Sequence, residues 1–150
     1  MAGKKGSWLR GAGLAAITGC RTALGPALVC RRDLRSAPLR SAVFVASALE
    51  LIGDKLPRTP PRTAALGLGL RILSGAGVAR ALLGRRRGRA ATAGALLLGA
   101  AVAVASAFAG LRLRLALTRR LGGGVRANAI AGAVEDAALL LVGTRLAAAR

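Results

Sequence analysis

Histidine and tyrosine are absent from this 150-residue chain, which has one tryptophan and two phenylalanines. A water-soluble core of this length normally leans on aromatic rings, because each buries a large apolar area. Lack of histidine removes the side chain most often used as a general acid–base or metal ligand near neutral pH. Acidic residues are scarce too, with five Asp and Glu against 24 Lys and Arg. The two cysteines, Cys20 and Cys30, match no metal or redox spacing and read as small apolar residues. No serine elbow, phosphate loop or cofactor fingerprint is present, so we expect neither enzyme activity, nor a metal, nor a cofactor.

What the chain has instead is 54% hydrophobic residues, supplied mainly by Ala, Leu, Gly and Val, with 21 glycines in all. Small residues let helices approach closely in lipid, where the hydrophobic effect no longer drives association. The net charge of +19 invites a nucleic-acid reading. Its distribution argues otherwise, since CRRDLR, GRRRGR and TRRL flank apolar segments and no recognition helix or stacking platform accompanies them. No nucleic-acid partner is expected. The bilayer is the expected partner, with anionic lipids a candidate for the basic clusters.

Five apolar segments, 8–30, 39–56, 63–84, 90–112 and 125–147, lie between Arg-rich or Pro-rich connections, of which PRTPPRT is the firmest break. The expected architecture is therefore all-α: one integral membrane domain over 1–150, a polytopic bundle of four to five short helices. The basic and apolar start resembles a signal peptide, but Arg21 interrupts it, and it reads as a retained first membrane segment. Counting Lys and Arg for five crossings puts eleven on each side, which fixes no orientation. A re-entrant or broken segment is one resolution, and GCRTALGP and GLGLRILSGAG are the candidates. GCRTALGPALVCRR also echoes GLRLRLALTRR, and ALE at 48–50 echoes AVE at 133–135, as in a weak internal repeat.

Only Ala90–Leu111 is a span free of charge; the other four segments carry, near the middle, Arg21, Glu50, Arg71, or Glu135 with Asp136. A charge at mid-membrane is costly, so such residues face the interior and pair, or they line a path. Ser47, Glu50 and Asp54 share one helical face, as do Asn128, Gly132 and Glu135. Two readings stay open for each stripe: an ion or proton path, or a carboxylate pairing with a buried arginine. Arg21 lies between Gly19 and Gly25, and Arg71 between Gly69 and Gly75; such arginines can hold a carboxylate or a lipid phosphate. Arg21 and Arg71 are the candidate partners of Glu50. Gly19, Gly69, Gly75 and Gly132 are expected to be helix-packing glycines.

The same residues carry a family resemblance. GCRTALGP, LELIGDKLP, RILSGA, LGAAVAVASAFAGLR, then Asn128 and the pair Glu135–Asp136, stand in the order seen in small bacterial integral membrane proteins called domain of unknown function 4126. The resemblance spans nearly the whole chain, and LELxxDKxP with the terminal Glu–Asp pair is its most specific part. It differs in lacking a lysine shortly before Arg112 and in having Ala129 where a proline usually follows the asparagine. The resemblance implies a multi-pass protein of the bacterial inner membrane and marks Arg21, Glu50, Asp54, Lys55, Arg71, Arg112, Asn128, Glu135 and Asp136, without implying a reaction. The expected function is passage of a small ion or solute through an Arg/Glu centre, with a homo-oligomer as a candidate state; the alternative is a scaffold or interaction subunit whose buried charges are structural.

Overall fold

The computed structural model describes residues 2–33, 37–53, 65–84 and 88–148, and all of its regular structure is helical. Six α-helices are described: α1 Ala2–Cys20, α2 Leu24–Asp33, α3 Ala37–Gly53, α4 Ala65–Ala79, α5 Arg89–Arg120 and α6 Gly124–Ala148. A π-helical turn, Arg80–Gly84, extends α4. The first apolar segment, 8–30, in which GCRTALGP was a candidate re-entrant or broken stretch, is two helices interrupted at Arg21–Ala23.

The break is a fold-back. Going up α1, Ile17 lies beside Gly143 of α6, and Arg21 then reaches Asp136; going back along α2, Leu28 again lies beside Gly143. An ideal Cβ on Gly25 would land on Thr18 Oγ1 and 3.0 Å from the Leu14 carbonyl, so α2 returns directly against α1. The interruption precedes Gly25–Pro26, which the sequence offers as the obvious breaker. Pro26 instead occupies the first turn of α2, where its missing N–H would have had no helical partner.

α1 is central, packing against α2, α4, α5 and α6. α4 and α5 run antiparallel through small residues: a Cβ on Gly75 would stand 2.6 Å from Ala103 Cβ and 2.7 Å from the Gly99 carbonyl oxygen. α5 and α6 form a helical hairpin. The Gly122 N–H donates to the Arg119 carbonyl and the Gly123 N–H to the Thr118 carbonyl, the paired bonds of a Schellman ending. Gly122 has φ +89°, and Gly123 and Gly124 are also left-handed, which is why this turn needs glycines.

The interior joins a cluster of large apolar side chains, Leu14, Ile17, Leu24, Leu28, Val29 and Val78 of α1, α2 and α4, to small residues and buried charge, while many other large apolar side chains lie outside. The residues of α5 that are buried are Ala95, Gly99, Ala103, Ala107, Gly110 and Arg114, a stripe at helical spacing. Those of α6 are Ala127, Ala131, Gly132, Asp136, Gly143 and Ala147. Outward lie Leu66, Leu73, Leu97 and Val125, each more than 70% exposed. Two helical stretches, Ala65–Leu83 and Arg89–Arg120, are long and apolar enough to cross a membrane, and only 28% of the apolar window in each is buried. α5, with 32 residues, extends about 48 Å at 1.5 Å per residue, more than a hydrocarbon core of about 30 Å.

Two expectations about glycines separate here. Gly75 and Gly19 are packing positions, the latter because an added Cβ would land on Ser106 Oγ and the Ala103 carbonyl. Gly69 is not, since among the described residues nothing lies within 4 Å of where its Cβ would be. The internal echo also fails structurally: Gly19–Arg32 is broken, whereas Gly110–Arg120 is continuous helix, with no glycine or proline inside it until Gly122. Gly75→Leu should therefore destabilise the protein by about 2 to 3 kcal/mol through overpacking, while Gly77→Leu, pointing into open space, should be neutral or slightly stabilising. Thermal unfolding of the two variants in detergent, beside the wild type, checks this.

Candidate functional site

The interrupted helix defines the site. The Arg21 N–H donates to the Ile17 carbonyl at 2.8 Å, closing α1, and the Ala27 N–H donates to the Ala23 carbonyl at 2.9 Å, opening α2. Ala23 is thus the N-cap of α2, and its methyl group cannot accept a hydrogen bond from the helix amides. The cap comes from another helix. Glu50 of α3 takes the Thr22 N–H on Oε1 at 2.7 Å and the Ala23 N–H on Oε2 at 2.8 Å. One carboxylate therefore satisfies both amides of the break and places a negative charge at the positive end of α2.

Arg21 stands at the opposite pole, at the negative C-terminal end of α1, where a cation is favoured. It is 1% exposed and among the largest fully buried side chains in the protein. Its Nε donates to Asp136 Oδ1 at 2.8 Å, and its Nη2 bonds the same oxygen. Asp136 is the central residue of α6, so the pair sits halfway along that helix. Arg71 of α4 brings its Nη2 to 3.6 Å from Glu50 Oε1, an ion pair slightly too long for a hydrogen bond. Asp136, Arg21, Glu50 and Arg71 form an alternating row of charge across α6, α1, α3 and α4. A buried ion pair repays its desolvation only with good geometry and extra hydrogen bonds, which the two amides and the two-donor Arg21 contact supply.

The expected pairing is redistributed. Arg21 meets Asp136, Arg71 is the arginine facing Glu50, and the hydrogen bonds of Glu50 go to backbone amides. Neighbouring glycines do not cradle Arg21: Gly25 seats the Thr18 hydroxyl and Gly19 seats α5. Ser47 is buried on the same helix as Glu50, and Asp54 and Lys55 lie outside the described residues. Glu135 is half-buried on α6, near enough to Gly110 that a Cβ there would stand 3.4 Å from its Oε1.

Arg112 was expected in the buried network and is exposed; Arg114 is the buried one. At about 100° per residue, Arg114 continues the inward stripe from Gly110 and Arg112 points away from it. The signal was available in the spacing of Gly99, Ala103, Ala107, Gly110 and Arg114. Arg114 Nε donates to Asn128 Oδ1 at 3.0 Å across the α5–α6 hairpin, although Asn128 is otherwise exposed. Gly132 was expected to admit a neighbouring helix; what it admits is the Arg114 guanidinium, 3.0 Å from where a Cβ would lie. Cys20 Sγ donates weakly to the Ser106 carbonyl at 3.5 Å. Among the described residues no group of His, Cys, Asp and Glu is arranged to hold a metal.

Chemically, the arrangement can hold or pass an anion or a proton at the ends of two half-helices, or it can lock four helices in register. Comparison with protein-family models, curated proteins and solved structures finds no match to this chain.

Asp136→Asn removes the carboxylate charge that Arg21 Nε and Nη2 contact and should cost about 3 to 5 kcal/mol. Asn128→Ala, at the rim, should cost about 1 kcal/mol. A thermodynamic cycle over Arg21→Leu, Asp136→Leu and the double variant should give a coupling above about 1 kcal/mol; additive losses would remove this pair from the account.

Proposed function

We propose that the chain is a multi-pass protein of the bacterial inner membrane, related to the domain of unknown function 4126 family, and that its polar centre passes a small ion or solute. The observation that supports this is the helix interrupted halfway along its neighbours, with two amides, two arginines and two carboxylates gathered at the break. Half-helix ends at mid-depth are how membrane proteins hold ions and solutes, since their free amides and carbonyls act as ligands there. No catalytic role is assigned to any residue.

In this reading α3, α4, α5 and α6 cross the membrane, while α1 and α2 enter and leave by the same side. Fold-back at Arg21 moves Lys4, Lys5 and Arg10 to the side of Arg31 and Arg32. The Lys and Arg count then changes from eleven against eleven to fourteen against eight. The positive-inside rule accordingly puts the starts of α1 and α5 and the end of α6 in the cytoplasm. Exposed Arg112, Arg119, Arg120 and Arg126 cluster at the opposite side, beside exposed Leu113 and Val125, where they meet anionic head groups. A homo-oligomer would widen a passage that 150 residues enclose only narrowly.

The scaffold reading has its own support in the near-complete burial of Arg21 and its two-donor contact with Asp136, which fixes the register of α1 against α6. The two readings part in one experiment. With Cys20 and Cys30 replaced by alanine, Thr22→Cys keeps the capped amide and adds a thiol at the break. In proteoliposomes carrying this variant alone or together with Glu50→Gln, a membrane-impermeant thiol reagent should label it and reduce ion or solute flux at least about tenfold; absence of flux from both unlabelled proteins would favour the scaffold. For orientation, Val125→Cys should label in intact cells, while Gly3→Cys should label only in inside-out vesicles.

A further inference from the structure

We propose that Glu50 is an autoinhibitory latch: seated on the Thr22 and Ala23 amides, its carboxylate holds α3 over the polar centre and keeps that centre closed. This deepens the passage reading and rests on it. α3 is the least anchored of the helices around the break. The helix against which it packs extensively is α2, and among its described residues Ser47 is the buried one, while Ala42, Phe44, Val45, Ala46, Ala48 and Leu49 are exposed. Among the described contacts, the end of α3 nearest the break is held by two hydrogen bonds and one 3.6 Å ion pair, all made by the carboxylate of Glu50.

The contrast with the other carboxylate of the row is what separates a latch from a strut. Asp136 sits on a helix that packs against α1, α2 and α5, and its side chain is 10% exposed. Glu50 sits on the peripheral helix, and its side chain is 19% exposed. Moving α3 outward by a few ångströms breaks the Glu50 contacts while leaving Arg21–Asp136 and the glycine contacts of α1, α4 and α5 in place. The Thr22 and Ala23 amides and Arg71 would then face the vacated space together. All three are donors, so they present to a permeating species the groups that Glu50 now occupies.

Glu50→Gln tests this with little change in shape. One amide oxygen can still accept from one backbone N–H, but the NH₂ group sets donors against the other, and the charge facing Arg71 is gone. In the Thr22→Cys protein, reconstituted in full length, this change should raise the rate of labelling by an impermeant thiol reagent at least about tenfold, the factor expected when one charge-assisted hydrogen bond closing the site is lost. Thr144→Val, exposed on α6, should leave that rate within about twofold. Retained helicity by circular dichroism and a monodisperse elution profile define the folded variant. If Glu50→Gln does not fold, Glu50→Asp, whose shorter side chain cannot span to both amides without moving α3, gives the same readout. Unchanged labelling in folded Glu50→Gln overturns the latch. Flux measured in the same vesicles keeps the two ideas apart: flux with unchanged labelling sinks the latch and spares the passage, whereas faster labelling without flux in any variant sinks the passage and spares the latch.

Discussion

A helix interrupted among apolar neighbours exposes amides and carbonyls that must find partners, and in this protein one carboxylate takes two of the amides at the break. Glu50 is held at 2.7 and 2.8 Å by Thr22 and Ala23, and Ala23 could not have capped α2 by itself. That contact caps the fold-back of α1 into α2 and sets the position of α3. Arg21 is placed by the same geometry: the last turn of α1 delivers it to the middle of α6, where Asp136 receives it. Neutralising the poles of two half-helices with side chains of opposite sign makes the break electrostatically self-consistent.

Packing around the break follows from residue size. Gly19, Gly75, Gly99 and Gly143 let backbones or branched side chains come within distances at which a methyl group would collide. That closeness brings dispersion contacts at positions where no large side chain fits. The result is an interior in which glycine, alanine and paired charge adjoin a Leu/Ile/Val cluster of α1, α2 and α4, under a surface that also carries much leucine and valine.

At the other end of α5, the hairpin to α6 rests on three consecutive left-handed glycines and on the Arg114–Asn128 bond. This second polar contact is separate from the break, and its partners are local in sequence. It fixes α6 against α5, and through α6 the position of Asp136. The break and the hairpin are thus coupled through one helix, which has glycine or alanine at most of its contact points with its neighbours.

Several features were legible in the sequence because they rest on composition and short-range pattern. The all-helical class, the packing roles of Gly19 and Gly75, and the convergence of Arg21, Glu50, Arg71 and Asp136 follow from small-residue abundance and from the cost of an isolated buried charge. Gly25–Pro26 drew attention to the right segment, yet the break falls two residues earlier because proline is tolerated in a first helical turn. Which arginine meets which carboxylate was not legible, since Arg21 and Arg71 are equivalent until helix order and direction are known. Nor was the choice of Arg114 over Arg112, which turns on which face of α5 meets α6. By itself the sequence determined that charges had to be buried and paired among small residues. Only the tertiary structure decided that Glu50 spends its carboxylate on backbone amides, because those amides are unsatisfied solely where α1 folds back on itself.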